Sequence, residues 1–157
     1  MELAAHPPRS FLRTVAGWYG GAVRALTALT PVLDLAIRLW VANAFFKSGL
    51  TKIASWDTTI ALFENEYAVP LLPPEIAAYL GTAVELGIPV LLVLGVFTRP
   101  AAIVLFVFNI IAVISYPDLS EGGLKDHIYW GLLLLVTFFH GPGKLSIDHL
   151  IRTKFAA

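Results

Sequence analysis

The chain has 157 residues, of which 57% are hydrophobic and 14% charged; its formal net charge is zero and its mean hydropathy is +0.75. Soluble domains hold about 45 to 50% apolar residues, so this composition reads as an integral membrane protein, and a balanced charge without a Lys/Arg block excludes a nucleic-acid partner. With no cysteine, the chain itself carries no disulfide framework, thiolate metal site or dithiol redox chemistry.

Residues 1–30 hold Arg9, Arg13 and Arg24, with Phe11, Val15, Trp18 and Leu26 at roughly helical spacing. This predicts an N-terminal amphipathic helix at the membrane interface. A cleaved signal peptide is the rival reading, but Arg24 interrupts any apolar core and no small-residue cleavage pattern precedes Pro31.

The first predicted span, 31–53, reads PVLDLAIRLWVANAFFKSGLTKI and includes Asp34, Arg38, Asn43, Lys47 and Lys52. A span needs about 20 mostly apolar residues, and an Arg or Lys near its centre costs about 2.5 to 3.5 kcal/mol. These groups must therefore face protein, water or headgroups. DTTIALFENEY then predicts a short outer-face helix with Asp57 as N-cap. Pro70, Pro73 and Pro74 exclude regular helix up to Pro74.

The second span, 76–97, carries Glu85, and Pro89 four residues later predicts a kink there. The third, 100–116, carries Asn109. The fourth, 127–140, reads HIYWGLLLLVTFFH and is stopped by Gly141-Pro142-Gly143. The predicted fold class is all-α: an integral membrane four-helix bundle forming a single domain over 31–157, behind the segment 1–30. Arg9, Arg13, Arg24, Arg99, Lys144, Arg152 and Lys154 fall on one side of the spans, while the other two loops are mainly acidic. The positive-inside bias puts both termini of this multi-pass protein in the cytoplasm.

At about 1.5 Å per residue, Arg38 and Glu85 lie roughly 7 Å apart along the membrane normal. Nine residues separate Arg38 from Lys47, which places them on opposite helix faces. The expected inward pair is Arg38 with Glu85, and Lys47 either snorkels or faces a partner. Asp34 and Lys52 are expected at the two boundaries, within reach of water. Asn43 and Asn109 fall near the midplane and His127 toward the outer end, where it reads as an interfacial residue ahead of a proton shuttle. The candidate set is thus Arg38, Asn43, Lys47, Glu85, Asn109 and His127, as an interhelical polar network or as a pocket for an amphipathic ligand such as a quinone headgroup.

No catalytic residue is assigned. His127 and His140 stand thirteen residues apart on one helix, about 20 Å along its axis, and cannot hold one haem iron. His6 and His149 fall outside the spans. No zinc or non-haem iron cluster, Walker loop, dinucleotide fingerprint or G-x-S-x-G elbow is present. Neither a metal nor a covalent cofactor is expected, only bound quinone.

RLWVANAFFKSGLTKI, ENEYAVPLLPP, GTAVELGIPVLLVLGVFTRPAA, FNIIAVISY and HGPGKLSID, in this order, resemble the DoxX family of small bacterial inner-membrane proteins. The resemblance runs from about Leu33 to Leu150. Positions matching its pattern are Arg38, Lys47, Gly49, Lys52, Glu85, Gly95, Arg99, Gly141, Pro142 and Asp148. It implies a four-helix bundle related to the DoxD subunit of thiosulfate:quinone oxidoreductase and to membrane partners of oxidative-stress systems. The implied role is a quinone-linked or redox-complex membrane subunit without a catalytic motif of its own. The alternative is a non-catalytic scaffold or small-molecule carrier that anchors a partner protein. The bilayer, a redox partner subunit, quinone and further copies of the chain are the expected partners.

Overall fold

The structure, a computed structural model, describes residues 9–155, and side chains from residue 11 onward. Residues 1–8, His6 among them, lie outside the described residues. Among those described, every regular element is a helix: α1 (Arg9–Ala54), α2 (Trp56–Asn65), α3 (Pro74–Leu94), α4 (Thr98–Ser115), α5 (Glu121–His140) and α6 (Ile147–Phe155). α1, α3 and α4 are long and apolar enough to cross a membrane. α5 has 20 residues, but its first two turns hold Glu121, Lys125 and Asp126.

The expected boundary between residues 1–30 and the first span is not a break. α1 runs on through Pro31 for 46 residues, about 69 Å at helical rise, more than twice the roughly 30 Å hydrocarbon core. Pro31 removes one ladder bond, but nothing like Gly141-Pro142-Gly143 ends the helix there, and the helix formers Ala28, Leu29 and Leu33 lie within three residues of it. Residues 11–33 are exposed or half-exposed, Phe11, Trp18, Tyr19 and Leu26 prominently so.

From Asp34 onward α1 has a buried stripe: Asp34, Arg38, Val41, Ala42, Phe45 and Gly49 recur at helical spacing. The long helices pack in cyclic order, α1 on α3, α3 on α4, α4 on α5 and α5 back on α1, with α2 lying across α3 and α1. Val41, Phe45, Leu92, Ala102, Leu105 and Leu134 form the main core. Phe63, Ala77 and Ala78 form a second cluster under α2. Lipid is as apolar as leucine, so such a core holds by close packing rather than by transfer from water. Gly49 shows how close: a Cβ there would fall 2.8 Å from Leu86 and 3.1 Å from the Glu85 Cβ.

Ser55, rather than the expected Asp57, is the N-cap of α2, and Asp57 sits in its first turn. α3 starts at Pro74, as the prolines require, and continues through Pro89. α6 was not anticipated. It is docked by Asp148, whose carboxylate accepts from the Phe97 N–H (3.0 Å), the Thr98 N–H (2.8 Å) and the Thr98 hydroxyl (2.8 Å), capping the start of α4 from another helix. Burial alone would raise the Asp148 carboxyl, but the Thr98 and Phe97 hydrogen bonds, helped by Arg152, hold it below the ordinary carboxylate range. A lowered folded-state value means that this contribution is complete above the ordinary range and fades as pH falls through the lowered value.

Candidate functional site

α1 and α3 bring Lys52 and Glu85 together in their closest stretch. Nζ of Lys52 lies 2.9 Å from Glu85 Oε1 and 2.7 Å from Oε2, and it donates also to Ser48 Oγ at 2.9 Å. The side chains are only 15% and 7% exposed. Only Oε1 is aligned for a hydrogen bond, so Oε2 keeps its acceptor capacity. A helical side chain leans toward its own N-terminus, and Lys52 reaches back one turn past Ser48 to meet Glu85 at the level of Gly49.

This corrects the expected Arg38–Glu85 pair. Gly49 faces Glu85, while Gly95 faces the Arg38 guanidinium. Glu85 and Gly95 are ten residues apart on the α3 side, about 15 Å along a helix axis, twice the separation expected. Arg38, 1% exposed, instead donates Nη1 to the carbonyls of Leu92 and Val93, both at 3.2 Å, and Nη2 to that of Leu145. These carbonyls include the unpaired C-terminal end of α3, where the helix dipole is negative. Arg38 is therefore a tie between α1, α3 and the segment leading to α6.

Asp34, expected to reach water, is buried and lies 3.1 Å from His140 Nδ1. Asn43 and Lys47 are exposed on the opposite face of α1 and join neither polar group. Asn109 and His127 do come together: Asn109 Nδ2 donates to the His127 carbonyl at 2.9 Å, and Oδ1 lies 2.7 Å from His127 Nδ1. With Nδ2 spent on a carbonyl, Oδ1 is the acceptor, so His127 Nδ1 carries the proton and donates to it. Of the six expected residues the structure thus separates Arg38 from Glu85, leaves Asn43 and Lys47 outside, and pairs Asn109 with His127.

Glu85 and His127 meet across a cavity of about 290 Å³. Its walls are mainly apolar, including Leu80, Val84, Phe108 and Ile111, while Lys52, Ser48, Ser115, Tyr67 and Tyr116 supply polar groups. Burial, and after it Tyr116, Glu85 and Glu66, push the Tyr67 phenol above its ordinary value, so it stays a neutral hydroxyl. An apolar pocket with a few convergent polar groups is the usual form of a small-molecule site. Lys52 was misplaced because depth was counted at Cα rather than at the end of its stem; its shared face with Arg38 and Phe45 and the Ser48 one turn back were the available signals. Tyr67, Tyr116 and Ser115 were missed because loop and helix-end residues give no periodic signal.

The DoxX family model matches residues 33–117. Relatives include an uncharacterized protein of Haemophilus influenzae, 32% identical over 130 residues, covering 77% of this chain and 84% of the relative. Another is inner membrane protein YphA of Escherichia coli, 33% identical over 135 residues and covering 77% and 91%. No solved structure matches. The matched region contains both Lys52 and Glu85 and most of the cavity wall; by this match and these relatives, the chain belongs to the DoxX family.

Proposed function

We infer that the chain is a multi-pass protein of the bacterial inner membrane in which α1, α3, α4 and α5 are four spans forming a bundle, with both termini cytoplasmic. The segment of α1 before Pro31 then lies at or beyond the cytoplasmic interface. Supporting this are three helices of membrane-crossing character, the side-by-side packing of α5 with α4, the charge bias of the loops and the inner-membrane name of the Escherichia coli relative. A reporter fused after Ser120 is expected to report the outer side. Cytoplasmic activity at that position refutes the topology.

Within that frame the cavity binds a quinone headgroup, and the chain acts as a membrane subunit of a redox complex whose electrons are carried by the partner and the quinone. The observation that carries this reading is the Lys52–Glu85 pair at the cavity wall. The pair leaves the cavity neutral overall, which suits an uncharged ring. Two of the three Lys52 donors are used on Ser48 and Glu85, and the third can meet a ring carbonyl. The Glu85 carboxylate can accept from a ring hydroxyl when its side chain turns Oε2, which has no hydrogen-bond partner, toward the cavity. Both oxidation states of the headgroup therefore find a partner, with apolar wall for the ring.

Gently purified protein is expected to retain quinone at stoichiometric level in its lipid extract, read by mass spectrometry, and Glu85→Gln to lose most of it. Wild-type protein free of quinone when prepared from quinone-containing membranes sinks the reading.

A further inference from the structure

The residues above the cavity form a partition rather than a solid roof. Phe63, Tyr67, Val69 and Leu72 line the inner cavity from above and also line a separate depression of about 320 Å³ on the outside of the same segment. One layer of side chains divides the two spaces. Phe63 is fixed in the cluster with Ala77 and Ala78, on which Tyr67 and Val69 rest, and the Tyr67 N–H donates to the Leu62 carbonyl; two contacts tie the segment to α4. The Ala68 N–H donates to the Ser115 carbonyl at 2.8 Å, tying the segment to the end of α4. The Tyr67 ring packs edge-on against Tyr116 with centroids 5.2 Å apart, and against Phe63 at 4.9 Å.

The segment also has a built-in hinge. Leu71 is 102% exposed and has φ +64, a left-handed conformation that costs a non-glycine residue about 1 to 2 kcal/mol. It stands between Pro70 and Pro73, which bar the strand or helix ladder that would otherwise anchor it. An exposed tip and stored strain are the marks of a segment that opens before its surroundings do.

We propose that residues 67–72, which follow α2, are a gate, latched by the Ala68–Ser115 hydrogen bond and the Tyr67–Tyr116 contact, and that ligand reaches the cavity through it from the outer depression. The depression sets the charge of what passes. Glu64 and Glu66 are exposed on its wall beside Asn65, so neutral and cationic molecules approach freely and anionic ones are repelled. The gate rests on the reading of the cavity as a ligand site, but not on quinone being the ligand.

The absence of cysteine allows a direct test in purified full-length protein. Ala77 lines the cavity beneath the gate and is 4% exposed; Asn65 lies outside it. Ala77→Cys is expected to react with N-ethylmaleimide slowly but completely, and at least about tenfold faster when combined with Tyr116→Ala. Tyr116→Phe, which keeps the ring contact, is expected to leave the rate unchanged, as is either change for the exposed Asn65→Cys; an unaltered elution volume and helical circular dichroism in detergent report that each variant is folded.

The trimethylammonium-to-sulfonate rate ratio of the two charged methanethiosulfonates at Ala77→Cys is expected to exceed their ratio with free 2-mercaptoethanol at least about tenfold, the scale of steering by a charged cleft. Glu64→Gln with Glu66→Gln should return it to the free-thiol ratio. Ala77→Cys reacting as fast as Asn65→Cys, never reacting, or ignoring Tyr116→Ala overturns the gate; a ratio no larger than the free-thiol ratio overturns the route past the glutamates. No quinone takes part, so failure of the quinone reading and failure of the gate are separate results.

Discussion

Replacing Lys52 with methionine is expected to destabilise the fold by about 3 to 5 kcal/mol, because it leaves the Glu85 carboxylate buried and unpaired. Glu85 has no other cation within hydrogen-bond distance among the described residues, and its side chain is 7% exposed. It would then stay ionised at high desolvation cost or take up a proton. Glu85→Met alone leaves the ammonium with Ser48 Oγ and the cavity, so its cost is smaller. The double variant removes both charges from the low-dielectric interior and should recover most of the loss, since a buried ion pair replaced by apolar groups of similar volume is often near neutral. The measurement is a double-mutant cycle on unfolding in detergent. Additive losses would show that the two side chains do not interact. The Lys52–Glu85 cycle is also the structural half of the functional reading. A double variant that is stable yet binds no quinone would assign the pair to the site rather than to the scaffold.

Arg38→Met should cost about 3 kcal/mol or more, with no contribution from Glu85. The loss comes from the Leu92, Val93 and Leu145 carbonyls, which lose charge-assisted partners; such bonds contribute about 1.5 to 3 kcal/mol each, in part-additive fashion. Arg38→Lys should rescue little. A single ammonium cannot reach carbonyls on two sides as the planar guanidinium does, and one C-terminal helix end would remain unsatisfied. Combined with Glu85→Gln, Arg38→Met should give additive losses, because the register places the two groups about 15 Å apart. Coupling beyond about 0.5 kcal/mol between them would refute that register. The same substitution should free the segment from Gly141 to α6, read as faster hydrogen exchange at Ser146 and Asp148, whose amide donates to the Gly95 carbonyl.

What separates these two residues explains which parts of the molecule were legible beforehand. The inward face of α1 was visible from angles alone: Arg38, Phe45 and Lys52 share it, and Asn43 and Lys47 do not, which the burial pattern reproduces. Partnering was not visible, because it depends on how far one helix slides past its neighbour. The slide is set by Gly49 seating against Leu86, a contact between residues 37 apart, and no local periodicity encodes it. A shift of two turns converts an Arg38–Glu85 pair into a Lys52–Glu85 pair without changing which face either helix presents. Asp34 was misjudged for a related reason, since its burial depends on Gly143 folding back over it after α5 has ended.

By itself the sequence determined the membrane class, the all-helical content, the approximate limits of α3, α4 and the end of α5, and the family. These follow from composition, apolar run length and proline and glycine placement, which act within a few residues. Tertiary structure alone decided that Glu85 answers to Lys52, that Arg38 ties off α3, that α1 continues unbroken into the N-terminal segment, and that a cavity opens beneath Tyr67. Each of these is the outcome of packing between segments far apart in the chain, where a close approach at one glycine sets which polar atoms are left facing each other.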